Sequence, residues 1–152
     1  MSSSKKLATK NLYCIIYVSY TDDWDSGKLK SLCNEASVFN KSHNITGMLV
    51  LLNNRFIQVL EGEKNSIKAL MDKIQQDQRH KGVLVLVEFD LAQRNFDNWS
   101  MGFKEVNNET FKEMSGLTDI EEFISEVSTK ELSNHPALAF MKRFYDKNYS
   151  PS

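Results

Sequence analysis

The chain has 152 residues, 41% of them hydrophobic and 26% charged, a balance that suits one domain with a core of its own. With 19 basic and 20 acidic residues the net charge is −1, so no cationic excess points to nucleic-acid phosphates or an anionic membrane surface. No apolar run approaches the ~18 residues of a membrane-spanning helix. Cys14 and Cys33 lie far apart and out of metal-ligand spacing with His43, His80 and His135, which argues against a disulfide scaffold and a cysteine zinc site. The expectation is a cytoplasmic protein without a metal.

Residues 1–10 lack the apolar stretch of a signal peptide and read as a disordered leader. Residues 12–20 are β-branched and aromatic, hence a strand. Alternation places Cys14, Ile16 and Val18 on one face and Ile15, Tyr17 and Ser19 on the other. Leu29, Leu32, Cys33 and Ala36 then recur at helical spacing, and Asn40, seven residues after Cys33, adds an amide to that buried stripe. Ile45 to Leu52 is apolar and Asn53-Asn54 suits a tight turn, so this run is expected to pair antiparallel with Arg55–Glu61, which Gly62 ends.

Within that second arm, Phe56, Gln58 and Leu60 point to the same face. Gln58 is therefore an amide among large apolar groups, and leaving its hydrogen bonds unmade would cost about 1–3 kcal/mol per group. Something polar must meet it. Ile67, Leu70, Met71 and Ile74 predict a second helix over about residues 65–78, with Asp77 on its stripe and Lys73 one turn earlier. Val83 to Phe89 reads as another buried strand, and Phe103 to Val106 as a last short one after Trp99-Ser100-Met101.

This order matches an α+β, ferredoxin-like βαββαββ arrangement: a sheet with two helices on one face, formed by residues 11–106. Residues 107–152 predict a helical extension. Thr118-Asp119-Ile120-Glu121 is a capping box and Pro136 suits a first helical position; these helices are expected to cap the sheet's other face. If Tyr17 and Gln58 share the helix-covered face, the cleft there collects a phenol, the amides of Asn40 and Gln58 and the carboxylate of Asp77. Its expected walls are Leu32, Ile45, Phe56, Leu60 and Ile74. An apolar slot with a few convergent hydrogen-bonding groups suits a flat heterocycle with polar edges.

Tyr17-Val18-Ser19, Asn40 followed by Ile45-Thr46-Gly47, Phe56 to Gly62, Asp77-Gln78-Arg79-His80 and Trp99-Ser100-Met101 together resemble BLUF domains, blue-light sensors that use flavin. The resemblance covers roughly Leu12 to Val106. It implies a noncovalent FAD, FMN or riboflavin between the two helices. It implies further that Tyr17 is the photoactive donor, that Gln58 bridges it to the flavin, and that Asn40 binds the ring's opposite polar edge. Trp99 and Met101 match the pair that carries the signal outward. Lys73, Asp77, Arg79 and His80 match a region near the ribityl chain or phosphate. Phe39 departs from the pattern, standing where many relatives carry a polar or basic residue. With no cyclase, phosphodiesterase or DNA-binding segment after the core, the chain resembles the short class, which is not enzymatic, signals through a partner protein and often assembles into homo-oligomers.

Taken singly, these residues have plainer readings. Tyr17 suits a core tyrosine, Asn40 a helix end, Asp77 to His80 a solvated helix terminus, and Trp99 and Met101 packing. A competing function on the same fold is an acylphosphatase-like or metabolite-binding protein. The acylphosphatase needs an arginine in a phosphate-cradling first loop, whereas Thr21 to Gly27 is acidic and has none.

Overall fold

The computed structural model describes residues 12–21, 26–52, 54–96 and 102–107, together with Glu109, Lys112, Glu113, Glu122 and Met141. Strand β1 (Leu12–Tyr20) leads to helix α1 (Ser26–Ser42), the hairpin of β2 (Thr46–Leu52) and β3 (Arg55–Glu63), helix α2 (Lys64–Gln76), β4 (Lys81–Asp90) and β5 (Gly102–Val106). The strands form one sheet in the order β4-β1-β3-β2-β5. The first four pair antiparallel and β5 adds parallel to β2. That is the ferredoxin-like arrangement with one extra strand.

The hairpin forms as its sequence suggests, with Asn54 at φ +63° and β2 and β3 paired from Leu52↔Arg55 to Thr46↔Glu61. β3 runs past Gly62 to Glu63, whose carboxylate caps α2 by accepting from Ser66 N at 3.0 Å. At Gly47 the two strands come so close that a Cβ would collide with the Val59 carbonyl oxygen.

Central burial divides by strand alternation. On the helix-covered face, Ile67, Leu70, Met71 and Ile74 of α2 pack on Tyr13, Ile15, Tyr17, Ile45 and Leu60. Leu32 and Cys33 of α1 pack on Leu49, Leu51 and Phe56. On the other face lie Cys14, Ile16, Val18, Met48, Val50, Ile57 and Val59, covered in part by Phe96 and Met141. Met141 is the one described residue of the expected helical cap that joins this core; Glu109, Lys112, Glu113 and Glu122 are exposed, and most of that cap, with Trp99 and Met101, lies outside the described residues.

Two expectations need correction. α2 stops at Gln76, and Asp77 is its C-cap in extended conformation (φ −81°, ψ 120°), so Asp77 is not on the helical stripe. β4 is not a buried strand: it lies at the edge of the sheet, only Val87 is buried, and Leu84 is 49% exposed. An apolar run does not by itself reveal that a strand lacks a neighbour on one side.

Candidate functional site

Antiparallel pairing sets Tyr17 directly opposite Gln58, and Gln58 opposite Leu49 on its other side. Opposed residues in adjacent strands project to the same face. The Tyr17 hydroxyl donates to Gln58 Oε1. Both side chains are buried, Tyr17 completely, and burial, followed by the nearby Asp77 and Cys33, pushes the phenol pKa up, so Tyr17 keeps its proton. The polar group that Gln58 needed is thus supplied by its cross-strand neighbour.

Between α1, α2 and the sheet lies a cleft, part of it open to solvent. Gln58 and Leu49 form its floor. α1 contributes Leu32, Cys33, Glu35, Ala36, Phe39 and Asn40, and α2 with its exit turn contributes Leu70, Lys73, Ile74, Asp77, Arg79 and His80. Asn40 is fully buried near the end of α1. Its carbonyl accepts from His43 and Ile45 N–H groups, and its side-chain Oδ1 is buried without a hydrogen-bond donor among the described residues.

At one end of the cleft Arg79 is gripped by Asp77. The guanidinium donates to both carboxylate oxygens at 2.7–3.1 Å, the Arg79 N–H donates to Oδ1 at 2.9 Å, and a further N–H reaches Glu35 at 2.8 Å. The Arg79 hydrogen bonds hold the Asp77 carboxyl below its usual range. Lys73 lies over the Phe39 ring, Nζ 4.3 Å from its centroid. His80 is buried against Phe56, ring centroids 5.1 Å apart, and its Nδ1 lies 3.0 Å from Ser19 Oγ. Burial pushes its pKa down to about 4, so the ring is neutral at pH 7.

Among the expected residues, Asn40, Gln58, Leu32, Lys73, Ile74, Asp77, Arg79 and His80 are brought together around the cleft. Ile45, Phe56 and Leu60 face the right side of the sheet but do not form its wall; they lie one layer beneath, under the helices. Tyr17 likewise sits behind Gln58. Cys33, Glu35, Ala36, Phe39, Leu49 and Leu70 line the cleft without having been assigned to it. The i, i+3, i+4, i+7 stripe of α1 already held Cys33 and Ala36, and Leu49 could have been found from the hairpin register. Burial pushes the Cys33 thiol up to about 12, so it is an unreactive neutral wall group. No group of three or more His, Cys, Asp or Glu suited to a metal occurs among the described residues.

Comparison with known proteins gives a consistent answer. Residues 12–102, more than half of the chain, match the family model "BLUF: Sensors of blue-light using FAD". The chain is 39% identical over 66 residues to the photoactivated adenylate cyclase subunit alpha of Euglena gracilis, a match that covers 43% of this chain and 6% of that protein. It is similar to BlsA in its photo-activated state (28% identity, TM-score 0.62, 81% of this chain and 99% of that one). The fold also matches that of BlrB, a BLUF protein, in its dark state (21% identity, TM-score 0.69, 93% of this chain and 99% of that one). With its matched Tyr17–Gln58 pair at the base of an amide-lined cleft, the chain belongs to the BLUF family of flavin-using blue-light sensors.

Proposed function

We propose that this protein binds a flavin noncovalently in the cleft between α1 and α2 and acts as a blue-light switch, not an enzyme, that signals to a partner protein. The observation that carries this reading is the Tyr17–Gln58 hydrogen bond at the floor of an apolar cleft. The lining supports it: apolar groups dominate the walls, and two buried amides supply directional hydrogen bonds. FAD, FMN and riboflavin share the ring this cleft suits. Leu32, Ile74 and Phe39 would flank it, Asn40 and Gln58 would meet its polar edges, and Lys73, Asp77, Arg79 and His80 would lie toward the ribityl chain.

A bound flavin supplies a blue-absorbing ring that becomes a strong oxidant when excited. Tyr17 would be the electron donor to that ring, because its proton can pass along the hydrogen bond its hydroxyl already makes to Gln58 Oε1. Gln58 presents an oxygen at one end of its amide and an NH₂ at the other, so turning it over exchanges a donor for an acceptor at the cleft. In a low-dielectric site that exchange shifts the absorption of whatever accepts the bond. Trp99 and Met101 are proposed as the outward relay. Cytoplasmic residence accords with the free, buried thiols of Cys14 and Cys33; no described helix is long and apolar enough to cross a membrane.

The test is an absorption spectrum of the purified protein before and after blue light. A yellow protein with a reversible red shift is expected, and a colourless one that takes up no added flavin would refute the reading. Gln58→Leu should keep the flavin and lose the shift.

A further inference from the structure

Another polar group is buried in β3, three residues beyond Gln58 and on the opposite face of the sheet. Glu61 is fully buried. Its Oε1 accepts from the backbone N–H of Asn95 at 2.7 Å and of Phe96 at 2.8 Å, and its Oε2 accepts from Asn95 Nδ2 at 2.8 Å. Arg94 ties the same segment down from the other side. It donates to the Glu61 carbonyl and Thr46 Oγ1, both at 2.9 Å, and to the Asn44 carbonyl at 2.5 Å. Phe96 is completely buried in the core of that face.

A buried carboxylate is costly unless its oxygens are well bonded, and burial does push the Glu61 carboxyl up while these hydrogen bonds oppose it. Packing alone would be met by an apolar side chain. What the carboxylate adds is a directional connection: residues 94–96 are held to the end of β3 and the start of β2, not merely laid against them. β3 is at the same time the strand whose Gln58 faces the cleft and bonds Tyr17 across to β1. The chain leaving Phe96 returns to the sheet as β5, paired to β2 from Met48↔Gly102.

We infer that Glu61 is a positioning residue that couples the hydrogen-bonded state of Gln58, on one face of β3, to the Arg94–Phe96 segment on the other. The inference rests on the flavin-switch reading above. A change in the Tyr17–Gln58 bond shifts β3 against β1, and the Glu61 carboxylate passes that shift to the Asn95 and Phe96 amides. Without it, the segment would keep its place by packing and lose the connection.

The test is amide hydrogen exchange of the full chain with its flavin, in darkness and under blue light, read on peptides that contain Asn95 and Phe96. The spectrum of the same sample is recorded first, because absence of a red shift there overturns the switch reading and this inference with it. With the red shift present, light should change exchange at these amides in the natural chain. Glu61→Gln keeps one acceptor oxygen but sets an NH₂ against the donors of the segment; it should retain the red shift and lose the light-minus-dark difference. Asn95→Ala removes only the Oε2 contact; it should reduce the difference and serves where Glu61→Gln does not fold. A red-shifting natural chain with no light-dependent exchange there overturns the coupling. So does Glu61→Gln, or Asn95→Ala in its place, that raises exchange equally in both states and leaves the difference intact, since that is what a purely structural anchor would do.

Discussion

The two faces of β3 treat a buried polar side chain in opposite ways. On the cleft side, Gln58 shares a hydrogen bond with Tyr17 and borders the cleft between the helices. On the far side, Glu61 meets three donors at 2.7–2.8 Å beneath fully packed core. An inverted amide presents a donor where it had an acceptor, whereas inverting a carboxylate only exchanges two equivalent acceptor oxygens and leaves its bonds as they were. One face is built to change its hydrogen bonds and the other to keep them. A switch needs both, because a rearrangement at the cleft acts on the rest of the molecule only through something that does not itself give way.

The largest effect that can break this contrast is at the cleft. Tyr17→Phe removes the donor to Gln58 and should abolish the light-induced spectral shift outright; a full and reversible shift in that variant would take Tyr17 out of its role. On the packed face, Phe96→Ala empties a fully buried site and should lower stability by about 3–5 kcal/mol in chemical denaturation. Flavin content should stay the same, because Phe96 lies across the sheet from the cleft. Loss of flavin on a par with loss of stability would show that the faces are not separable.

A smaller effect comes from acid. Burial holds His80 at about 4 in the folded chain against an ordinary value of 6.5. As pH falls below 6.5 the unfolded chain takes up a proton that folded His80 refuses, so stability is lost down to about pH 4 and levels off below. Between pH 7 and 4.5 this amounts to roughly 2 kcal/mol. His80→Asn should flatten the profile in that window; an identical slope in the variant would reject the assignment. Glu61 works with the opposite sign: its carboxyl is raised by burial, so the folded chain protonates first and the strain of the buried charge is relieved as pH falls.

Much of the cleft was legible in the sequence because it depends on local periodicity. Alternation placed Tyr17 and Gln58 on their faces, and helical spacing placed Asn40 and Ile74. Depth was less legible. Ile45, Phe56 and Leu60 face the helices as expected, yet whether they touch the cleft or lie beneath it depends on how the helices sit. That Asp77 lies beyond the helix is hidden in the sequence, because the apolar stripe of α2 gives no sign of where the cap falls. The edge position of β4 was hidden because an apolar run looks the same with one neighbour or two. Arg94, Asn95 and Phe96 gave no signal at all: their partner Glu61 is more than 30 positions away, and a loop carries no period from which a contact can be inferred.

At Gly47, opposite Leu60 and between the levels of Gln58 and Glu61, β2 and β3 leave no room for a Cβ. The gap between the strands there is narrower than a methyl group. A single carbon at this point would pry the two strands apart and loosen cleft and anchor together, which makes the absence of a side chain at Gly47 a shared tolerance on which both faces are set.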